Sequence, residues 1–332
     1  MNKINVALIG VGYWGPNILR TLKSLKNCKL KTIIETNVKR QKYIRKIDTK
    51  LKVSSDLSII LKDDEIKAVI ISTPPKTHYK IALKCLKAGK NLLIEKPIVT
   101  NTKEYRKLLG IAKKSKLTLM AGDLYLFNTA ILKIKKLIQS NYLGKVIYFN
   151  SQRKNLGRIR NDVDVNWSLS THDISIIQYL MDYQTPMRCI KNDFNFLQKK
   201  ISDVSKVTLK FKKNITGLIS VSWLHPEKIR ELIIVGTKRM LIYNDLKPEE
   251  IKVINKSVIP FHSLKDNNLD YDKKFIKFNN QLNKSNILKI KKSEPLKNEI
   301  NHFFMCIKNR KIKCLTGEKH SLSILSIMKK IN

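Results

Sequence analysis

Gly10-Val-Gly12-Tyr-Trp-Gly15 constrains this chain more than any other stretch, because it follows a short apolar run, Ile4 to Ile9. It also precedes a segment in which Ile18, Leu22 and Leu25 recur at helical spacing. Glycines between a strand and a helix have separate uses. Gly10 permits the tight turn, Gly12 lets the backbone approach a pyrophosphate, and Gly15 allows the helix to pack closely on the strand, with the phosphates at the helix N-terminus. A second apolar run, Leu30 to Glu35, ends in a carboxylate able to accept hydrogen bonds from both hydroxyls of an adenosine ribose. Strand, glycines, helix, strand and acid in this order predict a dinucleotide site, with Tyr13 and Trp14 inside its loop. A carboxylate at that position repels a 2′-phosphate, so NAD is expected over NADP; Lys39 and Arg40, just beyond, are the groups that would accommodate a phosphate.

The alternation continues. Asp56 caps a short helix, Ala68 to Ser72 reads as a buried strand, and Tyr79 to Ala88 as a helix stopped by Gly89. Leu92 to Glu95 is the next strand, Asn101 with Glu104 resembles a capping box, and Leu117 to Met120 is another strand. Such βα repetition predicts a doubly wound parallel sheet, a Rossmann domain over residues 1–122. After Gly122 the rhythm changes. A helix from Asn128 to Ser140 leads into the run Lys145 to Arg153, a helix follows His172, and strand-like runs cover Val204 to Phe211, Gly217 to Trp223 and Leu232 to Val235. Residues 123–332 therefore read as an α+β domain with a large, mostly antiparallel sheet and helices on one face. Ser263 to Ser293 is Lys/Asn-rich and reads as a loosely held excursion with at most a strand at Ile287 to Ile290. Helices from Pro295 to Lys308 and from Ser321 to Lys330 close the chain.

Charge raises a different class of function. Lys and Arg total 66 against 26 Asp and Glu, a net charge of +40 over 332 residues, which suggests nucleic acid or an anionic membrane. Only eleven of the basic residues are Arg, however, and the lysines are scattered from Lys3 to Lys330 rather than gathered on one stripe. The excess of Lys, Asn and Ile is what codon drift toward A and T leaves behind, with non-specific polyanion binding as a side effect and a polyanion-binding protein as the rival reading. Cys28, Cys85, Cys189, Cys306 and Cys314 are odd in number and form no CxxC, so neither a disulfide framework nor a zinc ribbon is expected, and a cytoplasmic setting fits. His225, His302 and His320 lack metal-ligand spacing, and no metal site is expected. Glycines and Pro16 interrupt the apolar N-terminal run before a typical cleavage site, and no stretch approaches the roughly 20 apolar residues of a membrane span.

Two further motifs fall at strand ends, where open α/β sheets bind ligands: Ser72-Thr73-Pro74-Pro75 and Glu95-Lys96-Pro97. Taken with VALIGVGYWGPN, the stretch from STPPKTH to LLIEKP, HDISIIQYL and VSWLHPEKIRELIIVGTKRMLIYNDL, they make the chain similar to the Gfo/Idh/MocA family. That family is named for glucose-fructose oxidoreductase and inositol 2-dehydrogenase. GYWGPN with EKP resembles its branch in nucleotide-sugar and surface-glycan biosynthesis. The resemblance implies a sugar dehydrogenase that oxidises a ring hydroxyl, of a 3-dehydrogenase kind, and assembles as a homo-oligomer through the C-terminal sheet. It places Lys96 beside the substrate and His172 as an acid-base group. Ser168 stands where the family's D-x-x-x-H pair usually has Asp, and this departure supports a second reading, a cofactor-binding or regulatory member with reduced or lost catalysis. The resemblance also puts Thr73, Pro74, Glu95 and Lys96 at the cofactor, and Tyr125, Asn128, Arg153, Asn155 and Arg160 toward the sugar. Arg153, Arg158 and Arg160 suit an anionic nucleotide sugar because a guanidinium grips phosphate in a fork, or they form a solvated basic strand and loop. His78 either approaches the cofactor or makes a structural hydrogen bond. Oxidising an alcohol also requires a base for the hydroxyl proton, for which an imidazole is suited.

Overall fold

The computed structural model describes residues 3–157, 159–256 and 285–331, and it divides into two compact units, 1–127 with 294–326 and 128–293 with 327–332. The first unit alternates β1 (Ile4–Ile9), α1 (Gly15–Ser24), β2 (Cys28–Ile34), α2 (Val38–Ile47), β3 (Lys52–Ser54), α3 (Ser58–Lys62), β4 (Ala68–Ile71), α4 (Pro75–Lys87), β5 (Asn91–Glu95), α5 (Thr102–Lys114) and β6 (Leu119–Gly122). The strands pair in parallel in the order β3-β2-β1-β4-β5-β6. β4 is buried at every position, as a central strand covered on both faces must be. The carboxyl ends of β1, β4 and β5 are thus neighbours along one edge.

In the second unit come α6 (Thr129–Gln139), β7 (Val146–Leu156), α7 (Thr171–Leu180), β8 (Arg188–Phe194), β9 (Val204–Lys210), β10 (Thr216–Ser222), β11 (Leu224–Gly236), β12 (Met240–Asn244), β13 (Glu250–Ile254) and β14 (Ser285–Lys289). Among the described residues these strands form one sheet, β14-β13-β12-β11-β7-β10-β9-β8, antiparallel except where β7 and β10 pair in parallel. α7 lies over β10: a Cβ added at Gly217 would touch Ile177 Cδ1 at 3.4 Å. The α+β expectation for this region holds.

Helix α8 (Pro295–Lys308) has the bounds the sequence suggests, and α9 (Glu318–Ile331) starts three residues before the expected Ser321. The division differs from the expected 1–122 and 123–332 because Ile300, Phe303 and Phe304 of α8 are buried in the core that holds β1 and α1, so 294–326 return to the first unit. Of the expected polar excursion, 263–284 lie outside the described residues, while β14 begins two residues before the expected strand at Ile287.

Candidate active site

The cofactor half is built by the first unit. Gly10 has φ +86, and a Cβ there would lie 2.7 Å from Thr73 Cγ2 and 2.8 Å from the Ser72 carbonyl, so the glycine loop rests directly on the loop after β4. A Cβ on Gly15 would sit 2.8 Å from the Gly10 carbonyl, which is the close strand-helix approach read from the motif. Over Gly12, by contrast, only the Arg40 guanidinium comes near, at 3.5 Å. Helix α1 starts after Trp14 with no side-chain cap and no acid in its first turn, so its amide groups suit an anion. This cradle fits a dinucleotide pyrophosphate. Glu35, 5% exposed, takes the Val11 N–H on Oε2 at 2.7 Å and the Asn37 N–H on Oε1 at 2.9 Å, which fixes the carboxylate against the glycine loop. Tyr13, at the loop tip, is 79% exposed.

Along the same edge, Thr73 and Pro74 lead into α4, and Thr73 Oγ1 is 2.7 Å from Thr77 Oγ1. Lys96 follows β5, with a cis bond to Pro97, and its backbone N–H donates to Glu95 Oε2 at 3.3 Å. Burial pushes the Glu95 carboxyl up to about 7, against the opposing pull of the Lys96 charge. Of its two expected roles, His78 takes the structural one. Buried, it places Nδ1 2.9 Å from the Pro97 carbonyl and Nε2 2.8 Å from the Thr73 carbonyl, so both ring nitrogens serve the backbone and neither is offered to a cofactor. The ring ties the loop after β4 to the loop after β5, and burial holds its pKa below the usual range. Tyr125 sits in the 3-10 turn Leu124–Phe127 that follows β6.

In the second unit, α7 opens with Thr171 and presents His172 in its first turn, preceded by the wide turn Asn166–Ser170 that contains Ser168. The neighbouring Asp173 points inward: at 2% exposure it receives Arg153 Nε at 3.0 Å and Nη2 at 3.1 Å, and Ser151 Oγ at 2.8 Å. Arg153 was expected to grip a ligand, yet two nitrogens of its fork are committed to Asp173 in the interior, where a lone carboxylate would be costly. Asn128 is a second correction. Its Oδ1 accepts from the Ala130 N–H at 2.8 Å as the cap of α6, and its Nδ2 donates to the Tyr243 hydroxyl at 2.7 Å, so this buried amide belongs to the fold and not to a sugar. Asn155 accepts from Arg230, and Arg160 pairs with Asp162. Arg158 lies outside the described residues.

Sequence reasoning missed a group of buried titratable side chains beside Glu95, namely Asp123, Glu299 and His320. A signal existed for Glu299, which stands among Leu296, Ile300 and Phe303 on the apolar face of α8.

Residues 4–123 match the model of an oxidoreductase family with an NAD-binding Rossmann fold, and residues 131–242 match that of the GFO/IDH/MocA C-terminal domain. The chain is 22% identical over 330 residues to scyllo-inositol 2-dehydrogenase (NAD(+)) of Bacillus subtilis strain 168, covering 95% of this chain and 89% of that one. Several other curated relatives are spanned over only about half of their length. One is an uncharacterized oxidoreductase of Streptococcus pneumoniae serotype 4, 24% identical over 189 residues, 54% of this chain and 50% of that one. In structure the chain resembles UDP-N-acetylglucosamine 3-dehydrogenase GnnA from Acidithiobacillus ferrooxidans, with a TM-score of 0.82 at 19% identity over 100% of this chain and 97% of the other. It also resembles GenD2 from gentamicin A biosynthesis, solved in complex with NAD, with a TM-score of 0.80 at 15% identity over 100% and 93%. These two likenesses establish the fold.

Proposed function

Starting from the fact that the chain belongs to the Gfo/Idh/MocA oxidoreductase family, NAD-binding through its Rossmann unit, we propose that it oxidises a ring hydroxyl of a nucleotide-activated sugar, as a 3-dehydrogenase in surface-glycan biosynthesis. The observation that carries this reading is the placement of Lys96 on the same sheet edge as the glycine cradle, one strand removed through β4. Bound NAD supplies the hydride acceptor. Lys96 holds the alcohol oxygen and stabilises the negative charge that develops on it. His172 accepts the hydroxyl proton at a ring nitrogen, and Ser168 offers a hydrogen bond without the charge of an aspartate. Tyr125, Asn155 and Arg160 remain the proposed sugar contacts. The name of the structural neighbour GnnA supports a nucleotide sugar as the substrate class. NADH fluorescence with a panel of nucleotide sugars tests the proposal: sugar-dependent NADH formation is expected, and a protein that binds NADH yet forms none over hours refutes it.

A second reading, a cofactor-binding or regulatory protein without turnover, draws on Ser168 and predicts that refuting outcome. The setting we propose is cytoplasmic, supported by five free thiols. No described helix is long and apolar enough to cross a membrane. Self-association through the C-terminal sheet is part of the same reading. Leu218 of β10 and Ile233 of β11 are both register partners of Asn150 on β7, which lines them up in one row. Leu218 is exposed there and Ile233 partly so. Sedimentation of wild type against Leu218→Glu checks it, with dissociation expected in the variant.

A further inference from the structure

Cys306, 2% exposed, lies in the last turn of α8, and its Sγ is 3.5 Å from Nε2 of His302, one helical turn earlier on the same face. The same Nε2 accepts the Leu315 N–H at 3.0 Å, so the Cys306 sulfur and the peptide link leading out of Cys314 border one nitrogen. Because an amide N–H can only donate, Nε2 presents a lone pair there and the ring proton sits on Nδ1. The Cys306 thiol therefore faces a base. Cys314 is partly exposed and opens a turn over 314–317, in which the Gly317 N–H donates to the Cys314 carbonyl at 3.2 Å. Thr316 fastens that turn to β6, its Oγ1 donating to the Ala121 carbonyl at 2.6 Å. Both cysteines are free thiols, and all of these groups belong to the first unit. Among the described residues no group of His, Cys, Asp and Glu side chains is arranged to hold a metal ion.

A thiol becomes a nucleophile when it loses its proton, and a second cysteine beside it can then close a bridge. We propose that Cys306 and Cys314 form a redox-modification site, a dithiol that a hydroperoxide oxidises to an intramolecular disulfide between the end of α8 and the turn before α9. His302 Nε2 takes the Cys306 proton. The Cys306 sulfur attacks one peroxide oxygen, the O–O bond breaks, and the leaving hydroxide collects the proton from His302, giving water and a Cys306 sulfenic acid. The Cys314 sulfur then attacks the Cys306 sulfur, the S–S bond forms, and the displaced hydroxyl departs with the Cys314 proton as a second water. The two thiols give up two electrons and two protons, and the peroxide receives them. While Nε2 holds a proton it no longer accepts from Leu315, which loosens the link beside Cys314 and lets that side chain turn toward Cys306. The direction of titration agrees. The neighbouring Cys314 thiol, helped by His302 and opposed by burial, holds the Cys306 thiol down to about 5, whereas Cys306 and burial push Cys314 up.

Lys308, Arg310, Lys311 and Lys313 stand between the two cysteines, so trypsin puts them on separate peptides and a bridge appears as a linked pair that a thiol reductant splits. The whole protein, exposed to graded hydrogen peroxide, quenched with iodoacetamide and digested without reductant, is expected to yield that linked pair by mass spectrometry, with Cys28, Cys85 and Cys189 unlinked. Recovery of Cys306 and Cys314 on separate peptides at every peroxide concentration overturns the proposal. So does a bridge from either one to a second chain, seen as a dimer on a non-reducing gel. In Cys314→Ser the reaction should stop at a Cys306 sulfenic acid, trapped by dimedone, and in Cys306→Ser the Cys314 thiol should stay reduced; a Cys314 oxidised at the wild-type rate in that variant overturns the assignment of Cys306 as the attacking sulfur. His302→Gln keeps an acceptor for the Leu315 N–H without a base, and bridging should slow about 10-fold or more. An unchanged rate overturns the proton transfer to His302. None of these readouts uses NAD or a sugar, so they succeed or fail apart from the proposed dehydrogenase activity.

Discussion

Removing the Lys96 ammonium or the His172 imidazole deletes the group assigned to the alcohol oxygen or to its proton, while the glycine cradle that receives the cofactor is left intact. Lys96→Ala and His172→Ala are each expected to lower turnover about 100-fold or more while NADH binding, read by fluorescence titration, stays nearly unchanged. Normal turnover in either variant would remove that residue from the mechanism. Ser168→Asp restores the carboxylate that family resemblance implies, and it is expected to raise turnover; a fall would mean that the surroundings of His172 have been re-tuned around serine. Glu35 sets a second residue-scale expectation. Its two backbone donors occupy two of about four lone-pair sites on the carboxylate, leaving acceptor capacity for a ribose. NADH should bind more tightly than NADPH, and Glu35→Ala should erode the preference. Arg40, just beyond Glu35 and with its guanidinium near Gly12, is a cation able to meet a 2′-phosphate, so Arg40→Ala should weaken NADPH more than NADH in the same titration.

At the scale of elements, Asn128 shows how a polar residue at a functional edge can serve the fold instead. Asn128→Ala removes the cap of α6 and the bonds to two side chains, Tyr243 and Asp245, so a loss of about 1–2 kcal/mol in unfolding free energy is expected by denaturant titration, with KM for the sugar unchanged. A raised KM at unchanged stability would return Asn128 to the substrate site. The same residue marks what the sequence discloses well. Asn128 and Ser140, read as the ends of a helix, are the caps of α6, because capping uses local chemistry that a sequence displays directly. Helix α2 was not legible: in VKRQKYIRKI only Ile44 is buried, so the apolar stripe that betrays a helix is nearly absent, and β3 after it is three residues long. The strand-like run Leu232 to Val235 is only the end of β11, which runs from Leu224 through Pro226 and a register shift that alternation alone does not disclose. The candidate site divides the same way. Gly10, Glu35 and Lys96 are placed by strand-end rules, but the turn of His78 toward two carbonyls and the approach of His320 to Asp123 depend on contacts between distant segments, to which periodicity is blind.

Over the whole molecule the excess of 40 positive charges asks whether it has a use. Several of the acids have local cationic partners: Lys31 Nζ reaches both Asp63 and Glu65, Lys113 reaches Glu318, and Lys289 reaches Glu250. With 66 basic residues against 26 acids and only eleven of them Arg, the surplus is mostly lysine, and a lysine is a hydrated point charge, not a planar fork that reads a base edge. Of the arginines, Arg153 is buried on Asp173, and Arg239 lies over the Tyr142 ring with its Nη1 on the Tyr142 carbonyl. Neither is arranged to read a groove. A polyanion bound by scattered lysines gains by releasing counter-ions, a term that carries no sequence information and collapses as salt rises. Duplex DNA should accordingly bind weakly in dilute buffer, with the same affinity for unrelated sequences, and dissociate as ionic strength approaches roughly 0.15 M, where the screening length falls to about 8 Å. Filter binding over a salt series with two unrelated duplexes measures this. Tight binding that discriminates between them at physiological salt would contradict drift as the origin of the charge and would require a contiguous recognition surface of a kind that scattered lysines do not form.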